Sequence, residues 1–422
     1  MAADQAVADL DDLLTPDALV DPYPSYQRMR EDAPVRWNAR WRGWVVTGHD
    51  DARLVLRDPT SYSSERVANH QRAAADGDEA DDAFTRFPAM ALIGKWVSFL
   101  DPPDHTRLRR LLSGAFTVRA TRALEPFIAE TAETLLDGLP TDEPIDFLHD
   151  FAFSFPVTVV ARLLGLPLDD ADRFKRWSDD LMLIVLGAAG TADRHERAAE
   201  GLSEMAAYLH EGLARRRAEG LGDDVLSQLL RAQGEGQEVS DDEIVASGMI
   251  LLFGGHETST NLVANALLAL ADHPEAAAQL RARPELLTNA VEEFLRYDGP
   301  TKGVVRWVRE ATSLGGHDLL PGDRVLVLTA AANRDPEHFE RPDDLVLDRT
   351  PNDHLAFGYA SHFCLGAPLA RSEAAAAVGA ILRRFDVEID RSSAAWRPTM
   401  LSRSLDSMTL TLHPHAAPEA AR

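Results

Sequence analysis

A lone cysteine, Cys364, lies within Phe357-Gly358-Tyr359-Ala360-Ser361-His362-Phe363-Cys364-Leu365-Gly366-Ala367-Pro368. A thiol buried among hydrophobes is inert, whereas a thiolate is a nucleophile or a metal ligand. Three features favour the thiolate here. Pro368 and the Ala-rich run behind it start a helix just past the cysteine, so free N–H groups and the helix dipole face the sulfur. Gly358 and Gly366 let the backbone approach a large flat group and turn N–H donors toward sulfur. His362 can present a donor to an anion beside the same site. A cysteine hydrolase would need a general base held against the sulfur, and His362 is a poor nominee because a loop would point it elsewhere. A thiolate ligand to iron is the better reading.

Three further constellations carry polar chemistry. Gly254-Gly255-His256-Glu257-Thr258-Ser259 falls inside a predicted helix over about residues 241–272. Adjacent glycines in a helix interior cost about 1 kcal/mol each against alanine, so they need a packing or functional reason. Without side chains there, the helix can approach a flat cofactor and leave room for a small ligand. Thr258 is four residues past Gly254 and can donate to its carbonyl, opening the groove further. Glu257 and Thr258 are neighbours and point to different sides. A bent core helix with a polar notch is the bland alternative. Glu293-Phe294-Leu295-Arg296 sets an acid and an arginine three apart on a helix, a spacing that most often marks a surface ion pair. His105-Thr106-Arg107-Leu108-Arg109-Arg110 puts His105 and Arg109 on one helical face. Five arginines and no acid fall between His105 and Leu124, in a chain of net charge −25.

The elements that hold these residues are mostly helical. Val35–Trp37 and Trp44–Val46 read as short paired strands and residues 51–57 as a short helix. From about 104 to 297 the apolar positions recur at three and four, broken at Gly138-Leu139-Pro140, Gly165-Leu166-Pro167 and His273-Pro274. After Pro300 the texture turns to β, at 304–308 and 324–328. A turn-rich meander over 333–353, a helix over about 366–384 and terminal strands including 408–412 follow. Segregated β segments predict an α+β class rather than alternating βαβ units. Residues 65–86, acidic and Ala-rich, read as a mobile surface loop, with a lid over a pocket as the functional alternative. No G-x-G-x-x-G, Walker or G-x-S-x-G pattern occurs, and His256-Glu257 lacks the second histidine of a zinc protease because Thr260 stands there. Any electrons must therefore come from another protein. The acidic balance argues against nucleic-acid and anionic-membrane binding. One cysteine forbids an internal disulfide and, with an acidic N-terminus and no long apolar run, predicts a cytoplasmic chain.

The cysteine loop resembles the haem-binding signature Phe-Gly-x-Gly-x-His-x-Cys-x-Gly of the cytochromes P450. It departs at one fixed position, where Ala360 replaces a glycine. The other three motifs follow in family order, and the resemblance covers about residues 20–412. It implies one triangular, mostly α domain with small β-sheets over residues 15–413, between loose tails at 1–14 and 414–422. It implies haem b with Cys364 as the axial ligand to iron. Gly255, Phe357, Gly358 and Gly366 would lie against the haem, and His105, Arg109, Arg306 and His362 would hold its propionates. Glu257 and Thr258 resemble the acid–alcohol pair that relays protons. Glu293, Arg296 and Arg349 would form a buried structural set. Arg107 and Arg110 would face an acidic ferredoxin, itself served by a reductase. The implied activity is O2-dependent oxidation of a hydrophobic small molecule of secondary metabolism by a monomeric enzyme. Hydroxylation leads, with epoxidation or oxidative coupling as variants. A peroxide-driven enzyme and a non-catalytic haem sensor are disfavoured by Glu257-Thr258. The expected pocket wall is Met90, Leu92, Ile93, Trp96, Val97, Phe253, Val304 and Leu401, with Lys302 nearby meeting an acidic group or water. If position 360 needs a positive φ, alanine costs about 1 kcal/mol there.

Overall fold

A capping box starts the longest helix. Ser240 Oγ accepts from the Glu243 N–H, and Glu243 accepts from the Ser240 N–H. Asp241, Asp242 and Glu243 sit in the first turn, where the dipole favours negative charge. The helix runs Asp241–Asp272, a length of about 48 Å, until Pro274 begins the next one. It is buried on nearly every side, as a helix apolar all round must be. The helices Ser154–Leu164, Leu287–Asp298 and Ala367–Arg384 pack around it. The structure, a computed structural model, describes residues 13–39, 41–75, 86–187 and 193–415.

The strands gather on one side. In chain order they are β1 (Val35–Asn38), β2 (Gly43–Val46), β3 (Tyr62–Ser63), β4 (Pro144–Asp146), β5 (Val304–Val308), β6 (Thr312–Leu314), β7 (His317–Leu319), β8 (Arg324–Val327), β9 (Phe385–Trp396) and β10 (Leu405–Pro414). The main sheet has the order β1-β2-β8-β5-β3, with β2 parallel to β8 and the other pairs antiparallel. Its register sets Arg306 opposite Val325. β4, β10 and β9 form a second sheet, and β6 with β7 a hairpin. The large apolar core lies among the helices, and two smaller clusters cover the faces of the main sheet. This is the mostly α arrangement with segregated β that the sequence predicts. Among the described residues no helix is long and apolar enough to cross a membrane.

Two expectations need correction. The segment 65–86 is not simply a loop, because Arg66–Ala75 is a helix. Arg66 donates to the carbonyls of Val185 and Ile184 at 2.6 and 2.7 Å, and these contacts anchor it; residues 76–85 lie outside the described residues. The tails are also shorter than expected. Leu13 is buried beside Tyr26 and Met29, and β10 extends through Pro414. Residues 1–12 and 416–422 lie outside the described residues.

Candidate active site: a cysteine loop facing the central helix

The cysteine loop closes on itself. The Cys364 N–H donates to the Phe357 carbonyl at 2.8 Å, and the Gly358 N–H to that of Leu355 at 2.9 Å. The turn needs two left-handed residues, Gly358 at φ +70° and Ala360 at φ +55°. A β-carbon there costs about 1–2 kcal/mol, so Ala360 holds the fold of the loop at some expense. Gly366 then opens the helix Ala367–Arg384. Cys364 is exposed and lines a cavity. Burial pushes its pKa up, against the N–H groups of Gly366 and Ala367 and the cations Arg109 and Arg371. The helix terminus therefore does not by itself make a thiolate. A metal ion at the sulfur would, because a coordinating thiol loses its proton outright.

Across a cavity of about 350 Å³ stands the central helix, with Gly254, Gly255, Thr258 and Ser259 on the wall. Thr258 Oγ1 donates to the Gly254 carbonyl at 2.7 Å, as its spacing predicts. The two glycines serve different ends. A β-carbon at Gly255 would meet Val160 Cγ2 at 2.6 Å, whereas one at Gly254 would find Ile250 no closer than 3.8 Å. Gly255 therefore sets the approach of the helix Ser154–Leu164, and Gly254 keeps the cavity open. Glu257 is turned away from the cavity, and Asn261 Nδ2 donates to its Oε1 at 3.0 Å.

Two arginines and two histidines collect along one edge. Arg109, Arg306 and His362 line the cavity. His105 does not, but its ring lies 4.0 Å from that of His362. Burial lowers the pKa of His362 to about 2 and of Arg306 to about 10, with Arg306, His105 and Arg109 adding to the effect on His362. Both nitrogens of buried His105 lack hydrogen-bond partners. Such a cluster is costly until an anion joins it. A flat group with two carboxylates, held at its metal by Cys364, fits these donors and this cavity.

The buried set is assembled too. Arg296 donates to both Glu293 oxygens at 2.8 and 2.7 Å, and Arg349 Nε reaches them at 3.0 and 3.2 Å. Arg296 also holds the carbonyls of Asn333, Pro342 and Asp344, which binds the meander beneath the loop. Of the expected pocket wall, Val97 and Val304 line the cavity. Met90 and Ile93 do not, because the 3-10 turn Pro88–Lys95 stacks every third side chain into the core; Trp96, the residue that ends the turn, is buried in the same core. Leu92 packs against that core, Phe253 faces Trp96 at 5.8 Å between centroids, and Leu401 joins the sheet-side cluster. Lys302 does not face solvent; it is buried and donates to the Thr399 carbonyl at 2.6 Å. Arg107 is not free for a partner, since Glu243, Asp104 and the Glu238 carbonyl hold it.

Sequence reasoning missed Phe116, Val160, Leu163, Ile250 and Leu251 on the wall, since an apolar residue carries no sign of whether its neighbour is core or cavity. It also missed Glu373, nine residues past Cys364, which lines the cavity fully buried and accepts from Ser259 Oγ. An acid inside an Ala-rich helix was the available signal.

Comparison with known proteins agrees with this geometry. The sequence profile of the family described as Cytochrome P450 matches residues 46–411. The vitamin D(3) 25-hydroxylase of Pseudonocardia autotrophica is 38% identical over 405 residues, 94% of this chain and 95% of that protein. The cytochrome P450 monooxygenase PikC of Streptomyces venezuelae is 37% identical over 404 residues, covering 93% and 92%. The structure of epothilone D-bound cytochrome P450epoK superposes with a TM-score of 0.86 at 30% identity, covering 95% of this chain and 98% of the other. A sole cysteine facing a cationic cavity, under a helix notched by glycine and threonine, thus sits in a chain that belongs to the cytochrome P450 family of haem-thiolate monooxygenases.

Proposed function

We propose that this enzyme hydroxylates a hydrophobic small molecule, using O2 and electrons delivered singly by a ferredoxin and its reductase. The observation that carries the reading is the cavity between Cys364 and Thr258, walled by Phe116, Val160, Leu163, Ile250 and Val304. Haem, when bound, supplies O2 binding and activation at its iron. Cys364 would hold that iron, and Arg109, Arg306, His362 and His105 would hold the propionates. Thr258 has committed its proton to the Gly254 carbonyl, so its oxygen accepts a hydrogen bond from a proton-bearing group in the cavity. Glu257 lies on the other side of the helix and would feed protons from that side. The apolar wall excludes water and selects an apolar ligand. That one relative is a vitamin D(3) hydroxylase and another P450 binds epothilone supports a bulky apolar substrate of specialised metabolism.

A ferredoxin suits the other face. Arg110, Arg119 and Arg122 are exposed. Arg109 donates to the Phe363 carbonyl at 2.6 Å, which ties this arginine-rich helix to the loop, and Phe363 is itself exposed next to Cys364. A basic patch on a chain of net charge −25 steers an acidic partner.

The test is an absorption titration of the ferric protein with sterols, macrolides, terpenoids and fatty acids, followed by turnover with ferredoxin and reductase or with peroxide alone. A low-spin band that shifts to high spin with one class, and a hydroxylated product only with the electron donors, is the expected result. Product with peroxide alone, or the absence of a haem band, overturns the proposal.

A further inference from the structure

Three metal-ligating side chains converge where the helix His49–Arg57 begins. His49, Asp50 and His338 each bring a donor atom within 4.8 Å of the others. His49 is 1% exposed, and its Nε2 lies 3.0 Å from the Asp353 carbonyl oxygen. A carbonyl only accepts, so Nε2 carries the proton and Nδ1 is left as a bare lone pair. That Nδ1 is buried and has no hydrogen-bond partner. Asp50 Oδ1 lies 3.8 Å from it, too far to satisfy it.

The surroundings hold the ligands in place. Asp335 accepts from the His49 N–H at 2.8 Å through its side chain and from the His338 N–H at 3.1 Å through its carbonyl. One residue thus positions both histidine backbones. The His338 ring lies on that of His49, with centroids 3.4 Å apart and planes 12° apart, and Phe339 stands edge-on to both rings, 5.5 Å from His49 and 4.7 Å from His338. An imidazole that donates its second nitrogen to a carbonyl is the arrangement metal-bound histidines use.

We propose that His49 Nδ1, the His338 ring and the Asp50 carboxylate form a binding site for one zinc-class divalent cation, joining the start of this helix to the turn after Asp335. Two imidazoles and one carboxylate suit Zn2+, Cu2+ or Ni2+ better than Mg2+ or Ca2+. Stacked rings aim their lone pairs in parallel, so binding tilts the unburied His338 until its nitrogen and Nδ1 both lie about 2.0–2.1 Å from the ion. Water completes the coordination. The site stands apart from the cavity and does not depend on the catalytic reading.

The experiment is calorimetric titration of untagged, haem-loaded protein with Zn2+. Wild type should bind one ion per chain. His338→Ala should weaken binding at least about tenfold and Asp50→Asn by less. His413→Ala should leave binding unchanged; it removes an exposed histidine beside Asp142 and Glu388. Because His49 is buried and its loss risks misfolding, the test rests on His338. No one-to-one binding up to millimolar Zn2+, or a His338→Ala variant that binds as tightly as wild type, overturns the proposal.

Discussion

Thr258 shows how one hydrogen bond fixes what a side chain can do. With its proton on the Gly254 carbonyl, the hydroxyl can hold a proton-bearing neighbour but not supply the first proton. Thr258→Ala should therefore keep the haem spectrum and continue to consume reducing equivalents, while product per electron pair falls several-fold and hydrogen peroxide rises. A coupling yield equal to wild type would remove Thr258 from the relay. Glu373 is a second residue whose state is set by surroundings. Burial pushes its pKa up to about 8, with the hydrogen bond from Ser259 pulling the other way. The folded protein holds this proton more tightly than the unfolded chain, so the associated stability is complete below about pH 4.5 and is lost as pH rises toward 8. Glu373→Gln mimics the protonated form and should escape that loss. Its thermal midpoint relative to wild type should rise between pH 5 and pH 8. An offset that does not change with pH would mean that Glu373 is already ionised in the fold.

Helices meet here at distances that single glycines decide. At Gly255 a β-carbon would sit 2.6 Å from Val160 Cγ2, and overpacking of this kind costs about 1–3 kcal/mol. Gly255→Ala should lower the thermal midpoint, and adding Val160→Ala should restore part of it. Gly254→Ala meets only ordinary contact and gains up to about 1 kcal/mol of helix propensity, so its midpoint should hold or rise. Equal effects at the two positions would contradict the division of roles. The buried set works at the same scale. Glu293 accepts from Arg296, Arg349, Asn352 and the Val346 N–H, so one carboxylate ties the helix Leu287–Asp298 to the meander. Leaving such a charge without a partner costs about 3–5 kcal/mol.

Charge is distributed unevenly over the whole molecule. The chain is strongly acidic, yet Arg110, Arg119 and Arg122 are each exposed on the helices Asp104–Ser113 and Val118–Asp137. Arg110→Glu combined with Arg122→Glu should slow reduction by ferredoxin about tenfold at low salt, and the gap should close as salt screens the field. The substrate-induced spectral shift should not change. Unaltered reduction kinetics would overturn the proposal that these arginines meet a ferredoxin. Arg107 is an unsuitable target because it is already committed to Glu243 and Asp104.

What the sequence determines by itself is local or depends on a rare residue type. The bounds of the central helix follow from Ser240, Glu243 and Pro274, and the Thr258–Gly254 bond follows from a spacing of four. The cysteine loop is legible because a sole cysteine, two glycines and a histidine in fixed order leave few alternatives. Helical spacing pairs Glu293 with Arg296, but only the tertiary fold buries them and brings Arg349 from more than fifty residues away. The fold also decides which apolar residues face the cavity. Met90, Ile93 and Trp96 are chemically as fit for that wall as Val97, and the 3-10 turn with the residue that ends it places them in the core. It decides that burial outweighs the helix dipole at Cys364, and that neighbouring acids hold Arg107 while Arg110 stays exposed. The physical reason is the same in each case. Periodicity fixes the direction of a side chain relative to its own helix, whereas solvation, charge and contact depend on what the rest of the chain brings to that side.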